Sequence, residues 1–316
     1  MSNKVLIAAP VHAVLTDGLA AAGYECVVQE KITQEQAYVL LHDCVGVITS
    51  TRLMLDKKLL DAAPQLQWIG RMGSGMEVID VPYATLKGIA CYSSPEGNCN
   101  AVAEHALGML LCLNKKILVS AVEVRNGQWL RDKNRGTELE GKTIGIIGFG
   151  HTGRAFARKL AAFDMQILAY DADDTIEMPE YVEKCSDLNK IYAAADMVSF
   201  HVPLTAGTYH YVNDVFITNM KKTFILINTS RGDIINTEAM MAALENGKIG
   251  GACLDVLEEE PLDKMSAYMK LVTAQLAAME NVVLTPHIAG YSHEALYKMS
   301  KILMEKISHG LVKDIK

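Results

Sequence analysis

The sequence predicts an α/β protein built from two doubly wound parallel-sheet domains. Strand and helix patterns alternate through the first hundred residues and alternate again from Lys142 onward. The chain has 316 residues and is 50% hydrophobic, so it holds enough apolar material for two cores. A glycine-rich turn between a strand and a helix lies near mid-chain, at 148–153, so the residues before it must form a unit of their own.

The first unit is predicted from short apolar runs separated by helical patterns. Strands are predicted at 5–9, 45–49, 66–70 and 89–92, and helices at 11–22 and 55–63. Gly23 ends the first of these helices. This alternation is typical of a small open α/β sheet, and we predict a flavodoxin-like arrangement.

The second unit follows a long helical pattern over residues 100–117. Its predicted strands are 143–148, 166–170, 197–201, 224–228, 250–256 and 282–285. The residues after 285 are largely helical and too few for a domain, so we expect them to pack on the first unit. The predicted domains are therefore 1–98 with 286–316, which is discontinuous, and 99–285, which is inserted into it.

The glycine pattern Gly148-x-Gly150-x-x-Gly153 follows a strand directly and opens a helix. The first glycine allows a tight turn, the second lets the backbone approach a pyrophosphate, and the third lets helix and strand pack closely. Asp171 ends the next apolar run, where a carboxylate can accept hydrogen bonds from a ribose. The inserted domain is thus predicted to be a Rossmann domain. Because Asp171 would repel a 2′-phosphate, the predicted cofactor is NAD and not NADP.

Composition excludes several classes of protein. The net charge of −7 argues against nucleic-acid binding, and no apolar run is long enough to span a membrane. The seven cysteines are scattered, with no C-x-x-C pair and no spacing typical of metal ligands. We therefore predict no metal site, free thiols and a cytoplasmic location.

Chemically active side chains follow three of the predicted strands. Arg231 follows strand 224–228, acids follow strand 250–256, and His287 follows strand 282–285. The carboxyl ends of parallel strands meet at one edge of a sheet, where ligands bind. An arginine can hold a carboxylate through two hydrogen bonds, a histidine can transfer a hydroxyl proton, and a carboxylate beside it stabilises its charged form. This set suits hydride transfer to or from a hydroxy acid.

Eight segments in order resemble the D-isomer-specific 2-hydroxyacid dehydrogenase family, at 70–75, 94–98, 101–108, 148–153, 201–205, 228–232, 254–261 and 285–290. The resemblance implies that Arg231 binds the substrate, that Glu260 is the partner of the acid/base His287, and that Ser74 and Gly75 cradle the substrate carboxylate. Glu258 and Glu259 are then expected to be solvated loop acids. The implied cofactor contacts, besides the three glycines, are His151, Thr152, Asp171, Val202, Thr208, Thr229, Ser230, Asp255, Ala289 and Gly290.

Within the family, the chain is most similar to the short 3-phosphoglycerate dehydrogenases of serine biosynthesis. Arg52 matches an arginine that binds the substrate phosphate there, whereas Ser50 stands where a second arginine is often found. The chain ends at Lys316, so we expect no C-terminal regulatory domain. The region near 100–140 resembles the arm that forms homodimers in the family.

Two alternatives remain open at this point. Glyoxylate or hydroxypyruvate reduction would use the same catalytic groups on a different 2-keto acid. A second alternative belongs to another class, since proteins of this fold also act as NAD-sensing corepressors that bind peptides. Turnover of any 2-keto acid would discriminate between an enzyme and such a binding protein.

Overall fold

The computed structural model describes residues 3–313, which form two compact units. One unit comprises the chain up to Cys99 and from Tyr291 onward, and the other is Asn100–Gly290. Positions 1–2 and 314–316 of the predicted discontinuous domain, including the chain end at Lys316, lie outside the described residues. Residues 286–290, which we expected in the first unit, belong to the second because the amides of Ile288 and Ala289 bond to Asp255.

The first unit contains a five-stranded parallel sheet with the strand order β2-β1-β3-β4-β5. Its strands are β1 (Lys4–Ile7), β2 (Glu25–Val28), β3 (Cys44–Thr49), β4 (Trp68–Arg71) and β5 (Ala90–Ser93). The helices between them are α1 (Ala13–Ala21), α2 (Gln34–Leu40), α3 (Lys57–Asp61) and α4 (Val81–Leu86). β2 was not predicted, because it is a partly exposed edge strand whose apolar run is only three residues long, at 26–28.

Two helices precede the second sheet, where we predicted one. They are α5 (Pro95–Asn114), which contains the boundary between the units, and α6 (Ile117–Arg125). The helix predicted over 100–117 thus begins five residues earlier and ends three residues earlier. Lys116 takes a left-handed conformation, with φ of 52°, and this interrupts the helix before α6.

The second unit contains a seven-stranded parallel sheet with the order β12-β11-β10-β9-β6-β7-β8. Its strands are β6 (Thr143–Ile147), β7 (Gln166–Tyr170), β8 (Glu183–Lys184), β9 (Met197–Phe200), β10 (Phe224–Asn228), β11 (Ile249–Leu254) and β12 (Val282–Leu284). Its remaining helices are α7 (His151–Leu160), α8 (Asn189–Ala194), α9 (Asp214–Asn219), α10 (Thr237–Glu245) and α11 (Ala267–Ala278). The two exposed residues of β8 carry no strand pattern, which is why it was not predicted.

Strand order in the second unit determines where a ligand can bind. Every residue of β6 and β9 is buried, as expected for parallel strands covered on both faces. The chain runs outward from β6 in one direction to β7 and in the other to β9. This reversal opens a crevice at the carboxyl ends of β6 and β9, which is the usual ligand site of such sheets.

The last helix, α12 (His293–Lys313), packs on the first unit. Its Leu303 and Ile307 are fully buried in one cluster with Ile7 and Trp68. The predicted fold of two parallel-sheet α/β domains, one inserted in the other, is confirmed. Across residues 3–313, no helix combines the length and the apolar character needed to cross a membrane.

Candidate active site

Three glycines shape the turn between β6 and α7, each for a different steric reason. Gly148 has a φ of 90°, and a Cβ there would lie 2.5 Å from the carbonyl oxygen of His201. A Cβ on Gly153 would lie 2.2 Å from the carbonyl oxygen of Gly148, so strand and helix touch at this point. At Gly150, the N-cap of α7, an added Cβ would meet nothing within 4 Å. The start of the helix therefore faces open space, which fits a pyrophosphate.

Asp171 lies beside this turn, at the end of β7. Its Oδ2 accepts a hydrogen bond from the amide of Phe149 at 2.6 Å, and its Oδ1 accepts one from the amide of Asp173 at 2.9 Å. The carboxylate is thereby held at the edge of the glycine turn. Asp173 and Asp174 follow it and add negative charge, so the local charge disfavours a 2′-phosphate on the ribose.

Buried polar atoms lie at the carboxyl ends of β9 and β10, next to the crevice. The hydroxyl of Thr229 is buried and has no hydrogen-bond partner among the described residues. The Nε2 of His201 lies 2.9 Å from the Oγ of Ser199, while burial lowers the pKa of His201 to about 4. His201 is therefore neutral at pH 7. The unpartnered Thr229 hydroxyl fits a site that is completed by a bound polar group.

The turn that carries Arg231 is shaped by Asn228, whose role the sequence analysis missed. Asn228 is fully buried, its Nδ2 donates to the carbonyl of Arg231 at 2.7 Å, and its Oδ1 accepts from the amide of Ser230 at 3.0 Å. The guanidinium of Arg231 donates through Nη1 to the carbonyl of Ser230 at 2.6 Å. The end of β10 thus holds the arginine in a defined turn.

Glu260 and His287 come together at the same edge. The Oε2 of Glu260 lies 2.7 Å from the Nδ1 of His287, and its Oε1 accepts from the amide of Leu257 at 2.8 Å. Burial raises the pKa of Glu260, but these two hydrogen bonds and the nearby charges of His287 and Arg231 outweigh it, so the net pKa is lowered. Glu260 is therefore a carboxylate at neutral pH, and it leaves Nε2 as the free ring nitrogen of His287.

The turn that presents His287 is built on Asp255. This carboxylate is 1% exposed and accepts from the hydroxyl of Thr285 at 2.5 Å and from the amides of Ile288 and Ala289 at 2.9 and 2.8 Å. His287 has a φ of 55°, and its own amide donates to the carbonyl of Asp255 at 2.8 Å. Both carboxylate oxygens of Asp255 thus accept hydrogen bonds from the turn at residues 285–289.

His105 supports the same turn from α5. Its Nε2 lies 2.9 Å from the hydroxyl of Thr285 and 3.5 Å from the Oδ1 of Asp255. These contacts to the residues that form the His287 turn indicate a structural role for His105. No local motif could have paired His105 with Thr285, because 180 positions separate them in the sequence.

The other predicted cofactor residues of this unit lie at the same sheet edge. His151 and Thr152 are the first residues of α7, and Val202 follows β9 and packs against Gly148. The hydroxyl of Thr208 donates to the carbonyl of Pro203 at 2.6 Å and so closes a turn. Ser230, Ala289 and Gly290 lie on the turns of Arg231 and His287 described above.

The predicted substrate residues of the first unit lie at the carboxyl end of its own sheet. Arg52 is exposed just after β3, and Ser74 and Gly75 lie in the loop after β4. Gly73, with φ of 131°, donates its amide to the hydroxyl of Ser94 at 3.2 Å. Arg71, the last residue of β4, is buried and donates to the carbonyl of Met72 at 2.5 Å.

Residues 107–289 match the model of the D-isomer specific 2-hydroxyacid dehydrogenase, NAD binding domain. The chain belongs to the D-isomer specific 2-hydroxyacid dehydrogenase family. It is 39% identical to a glyoxylate reductase of Thermofilum pendens over 78% of this chain and 73% of that protein. It is 33% identical to a D-3-phosphoglycerate dehydrogenase of Archaeoglobus fulgidus over 96% of this chain and 56% of that one, so it spans about half of this relative's length.

A solved structure gives the same picture. A D-lactate dehydrogenase from Aquifex aeolicus, complexed with NAD and lactic acid, is 27% identical, with a TM-score of 0.84 over 99% of this chain and 96% of that chain. The predicted family, the class of NAD-dependent D-2-hydroxyacid dehydrogenases and the NAD cofactor are therefore confirmed. The relatives act on different substrates, so the comparisons leave more than one substrate for this chain.

Proposed function

We propose that this protein interconverts a D-2-hydroxy acid and its 2-keto acid through the pair formed by Glu260 and His287. The observation that carries the proposal is their 2.7 Å contact at the sheet edge that also holds the Arg231 turn. When bound, NAD accepts the hydride from C2 of the hydroxy acid, and NADH returns it in reverse. Nε2 of His287 takes the hydroxyl proton during oxidation and donates it during reduction.

Arg231 and Glu260 have separate tasks in this scheme. The guanidinium of Arg231 binds the substrate carboxylate and polarises the carbonyl oxygen, because its planar fork matches two acceptor oxygens. Glu260 stays ionised and stabilises the imidazolium that forms on His287. His287 therefore transfers the proton in both directions of the reaction, and Glu260 stabilises the charge on the imidazolium in both.

The proposed cofactor residues fall into two groups. Gly148, Gly150 and Gly153, with His151 and Thr152, hold the pyrophosphate at the start of α7, and Asp171 holds the adenosine ribose. A second group borders the crevice toward the reacting end of the cofactor. Its members are Val202, Thr208, Thr229, Ser230, Asp255, Ala289 and Gly290.

For the substrate, we propose 3-phosphoglycerate and 3-phosphohydroxypyruvate, which would place the protein in serine biosynthesis. The exposed Arg52 supports this proposal, since a guanidinium can bind a phosphate, while Ser74 and Gly75 would bind the carboxylate. Glyoxylate and hydroxypyruvate are the alternative, which the relationship to a glyoxylate reductase supports.

Steady-state kinetics with 3-phosphohydroxypyruvate, hydroxypyruvate, glyoxylate and pyruvate decide between them. Arg52→Ala should raise KM for the phosphorylated acid about 10-fold or more and leave KM for glyoxylate unchanged, because a charged hydrogen bond contributes about 1.5–3 kcal/mol. Lys57→Ala removes another exposed cation of this unit and serves as the control. Equal KM changes for both acids would exclude a phosphate site at Arg52. If NADH is oxidised with none of the acids, the corepressor-like binding role replaces the enzymatic one.

We also propose that the protein forms a homodimer through α6 and the arm that follows it. Six apolar side chains there are between 42% and 76% exposed, namely Ile117, Leu118, Val122, Val124, Trp129 and Leu130. Apolar surface of this kind marks interaction sites. Trp129→Asp should yield a monomer in sedimentation analysis, whereas Leu86→Asp, at an exposed position of the other unit, should not. If the unaltered protein sediments as a monomer, the proposed homodimer is wrong.

A cytoplasmic location is proposed because all seven cysteines are free. Fractionation of the source cells should recover the protein together with cytosolic markers. Recovery from an oxidising compartment would contradict it.

A further inference from the structure

A second histidine–carboxylate pair lies outside the proposed chemistry. The Nε2 of His210 is 2.5 Å from the Oε1 of Glu258, and the two side chains are only 26% and 19% exposed. The other oxygen, Oε2, accepts from the amide of Thr237 at 2.8 Å. Glu258 is thus not the solvated loop acid that the sequence suggested. It stands at the start of α10, where the helix dipole also favours a negative charge.

The tautomer of His210 follows from its neighbours. Asn236 caps α10 with its Oδ1, which accepts from the amide of Ala239 at 2.9 Å, so its Nδ2 is the group that faces His210 at 3.2 Å from Nδ1. An amide nitrogen can only donate, and Nδ1 must therefore accept. His210 then carries its proton on Nε2 and donates it to Glu258. Its backbone is held as well, since its amide donates to the carbonyl of Asp233 at 2.8 Å.

The backbone beside Glu258 is clamped against the Arg231 turn. A Cβ on Gly232 would lie 1.9 Å from the carbonyl oxygen of Leu257 and 2.5 Å from the amide nitrogen of Glu258. Gly232 follows Arg231 directly, and Glu258 precedes Glu260 by two residues. The segments after β10 and β11, which carry Arg231 and Glu260, are therefore in direct backbone contact.

Asp233 lies close to the same group of charges. Burial raises its pKa, and the negative charges of Glu258 and Glu260 raise it further. Asp233 thus lies near both glutamates, and its carbonyl accepts the amide hydrogen bond of His210. His210 and Glu258 thus join three segments, those that follow β9, β10 and β11.

Resting on the function proposed above, we propose that His210 and Glu258 are positioning residues that hold the Leu257–Glu260 loop so that Glu260 meets His287. In this scheme His210 and Glu258 contact neither the substrate nor the cofactor. Glu258, directly after Leu257, anchors the loop to α10, and Glu260 closes the loop by accepting from the amide of Leu257. Loss of the anchor would let Glu260 withdraw from the imidazole without removing any catalytic group.

Glu258→Ala should lower kcat about 10- to 100-fold, as expected for a misplaced catalytic group, with NADH affinity unchanged. Its pH–rate profile should shift in the same direction as that of Glu260→Gln. His210→Gln should keep most of the rate, because glutamine retains a donor for Glu258. Glu258→Gln should lower the rate as well, because its amide nitrogen would face the Nε2–H of His210. Glu259→Ala is the matched control, because Glu259 bonds instead to the amide and hydroxyl of Ser266.

A double variant separates positioning from a general loss of structure. If Glu258 acts through Glu260, adding Glu258→Ala to Glu260→Gln should change kcat less than about threefold, since coupled residues are not additive. The proposal is overturned if the double variant shows the full additional loss of kcat, or if folded Glu258→Ala keeps an unchanged rate and pH profile. If Glu260→Gln changes neither kcat nor the pH–rate profile, the role proposed for Glu260 is wrong, and the positioning role inferred for Glu258 and His210 is wrong as well.

Discussion

Glu260 and His287 meet through Oε2 and Nδ1 at 2.7 Å, although 27 positions separate them in the chain. Their side chains remain 32% and 45% exposed, so a small substrate can reach the free ring nitrogen. The carboxylate fixes the orientation of the imidazole ring. This geometry suits the acid/base role that we propose for the pair.

Replacement of His287 tests the acid/base role. His287→Ala should lower kcat by about 10²–10⁴ in either direction, because no other group would transfer the hydroxyl proton. NADH binding, measured by fluorescence titration, should stay close to that of the unaltered protein. His293→Ala, an exposed histidine at the start of α12, is the control. A near-normal rate would exclude His287 from proton transfer.

Replacement of Glu260 tests the charge partner. In Glu260→Gln the imidazolium that forms during turnover loses its neighbouring carboxylate, so kcat/KM for reduction of the keto acid should fall and its pH profile should change. The lowered pKa of Glu260 means that the pair persists as the pH falls below neutrality in the unaltered protein. The measurement is kcat/KM for reduction across pH, with Glu259→Gln as the control. Superimposable profiles would contradict the pairing.

Arg231→Lys tests substrate binding. Lysine keeps the charge but lacks the planar fork, so kcat/KM for the keto acid should fall about 10- to 100-fold, the value of one or two charged hydrogen bonds. NADH affinity should not change. Arg135→Lys, at a side chain that is 82% exposed, should behave like the unaltered protein. A loss confined to NADH binding would place Arg231 in the cofactor site instead.

Asp171 should control the choice of cofactor. The unaltered protein should use NADH far more efficiently than NADPH. Asp171→Ala should reduce the ratio of kcat/KM for NADH to kcat/KM for NADPH about 10-fold or more. The reason is that one charge repulsion or one charged hydrogen bond contributes at least about 1.4 kcal/mol. Asp187→Ala, which removes an exposed acid after β8, serves as the control. Equal use of NADPH by the unaltered protein would disprove the role assigned to Asp171.

His201 should make the protein less stable in acid. Its folded pKa of about 4 lies below the ordinary value of 6.5, so the unfolded chain binds a proton first as the pH falls. The free energy of unfolding should decrease from about pH 6.5 down to pH 4, by up to about 3 kcal/mol from this group. In urea unfolding, the free energy of unfolding of His201→Phe should depend less on pH between 6.5 and 4 than that of the unaltered protein. His42→Gln, which changes an exposed histidine, should show the same pH dependence as the unaltered protein. If the free energy of unfolding changes equally with pH in both variants, His201 is not the cause of the acid sensitivity.

Strands and motifs with strong local patterns were predictable from the sequence. The Gly148–Gly153 turn, Asp171 and the strand ends that carry Arg231 and His287 all lie in or beside continuous apolar runs, and such runs form the buried centre of a parallel sheet. The edge strand β2 was missed because it is partly exposed and its apolar run is only three residues long, and β8 was missed because both of its residues are exposed and polar.

Long-range polar contacts were not predictable in the same way. His105 meets Thr285 across 180 positions, and His210 meets Glu258 across 48. Neither pair has a local spacing that marks it, and both depend on which strands lie side by side. Glu258 consequently looked like an ordinary surface acid, although its carboxylate is engaged on both oxygens.

The return of α12 to the first unit has a consequence for how the protein is made. Val5 and Ile7 are synthesised before the Asn100–Gly290 unit, whereas Leu303 and Ile307, which share their core, are synthesised after it. The inserted Asn100–Gly290 unit has all its strands before then and can fold while translation continues. A stop codon before Leu303 should therefore leave the middle of the polypeptide intact and expose the core of its amino-terminal unit to proteases.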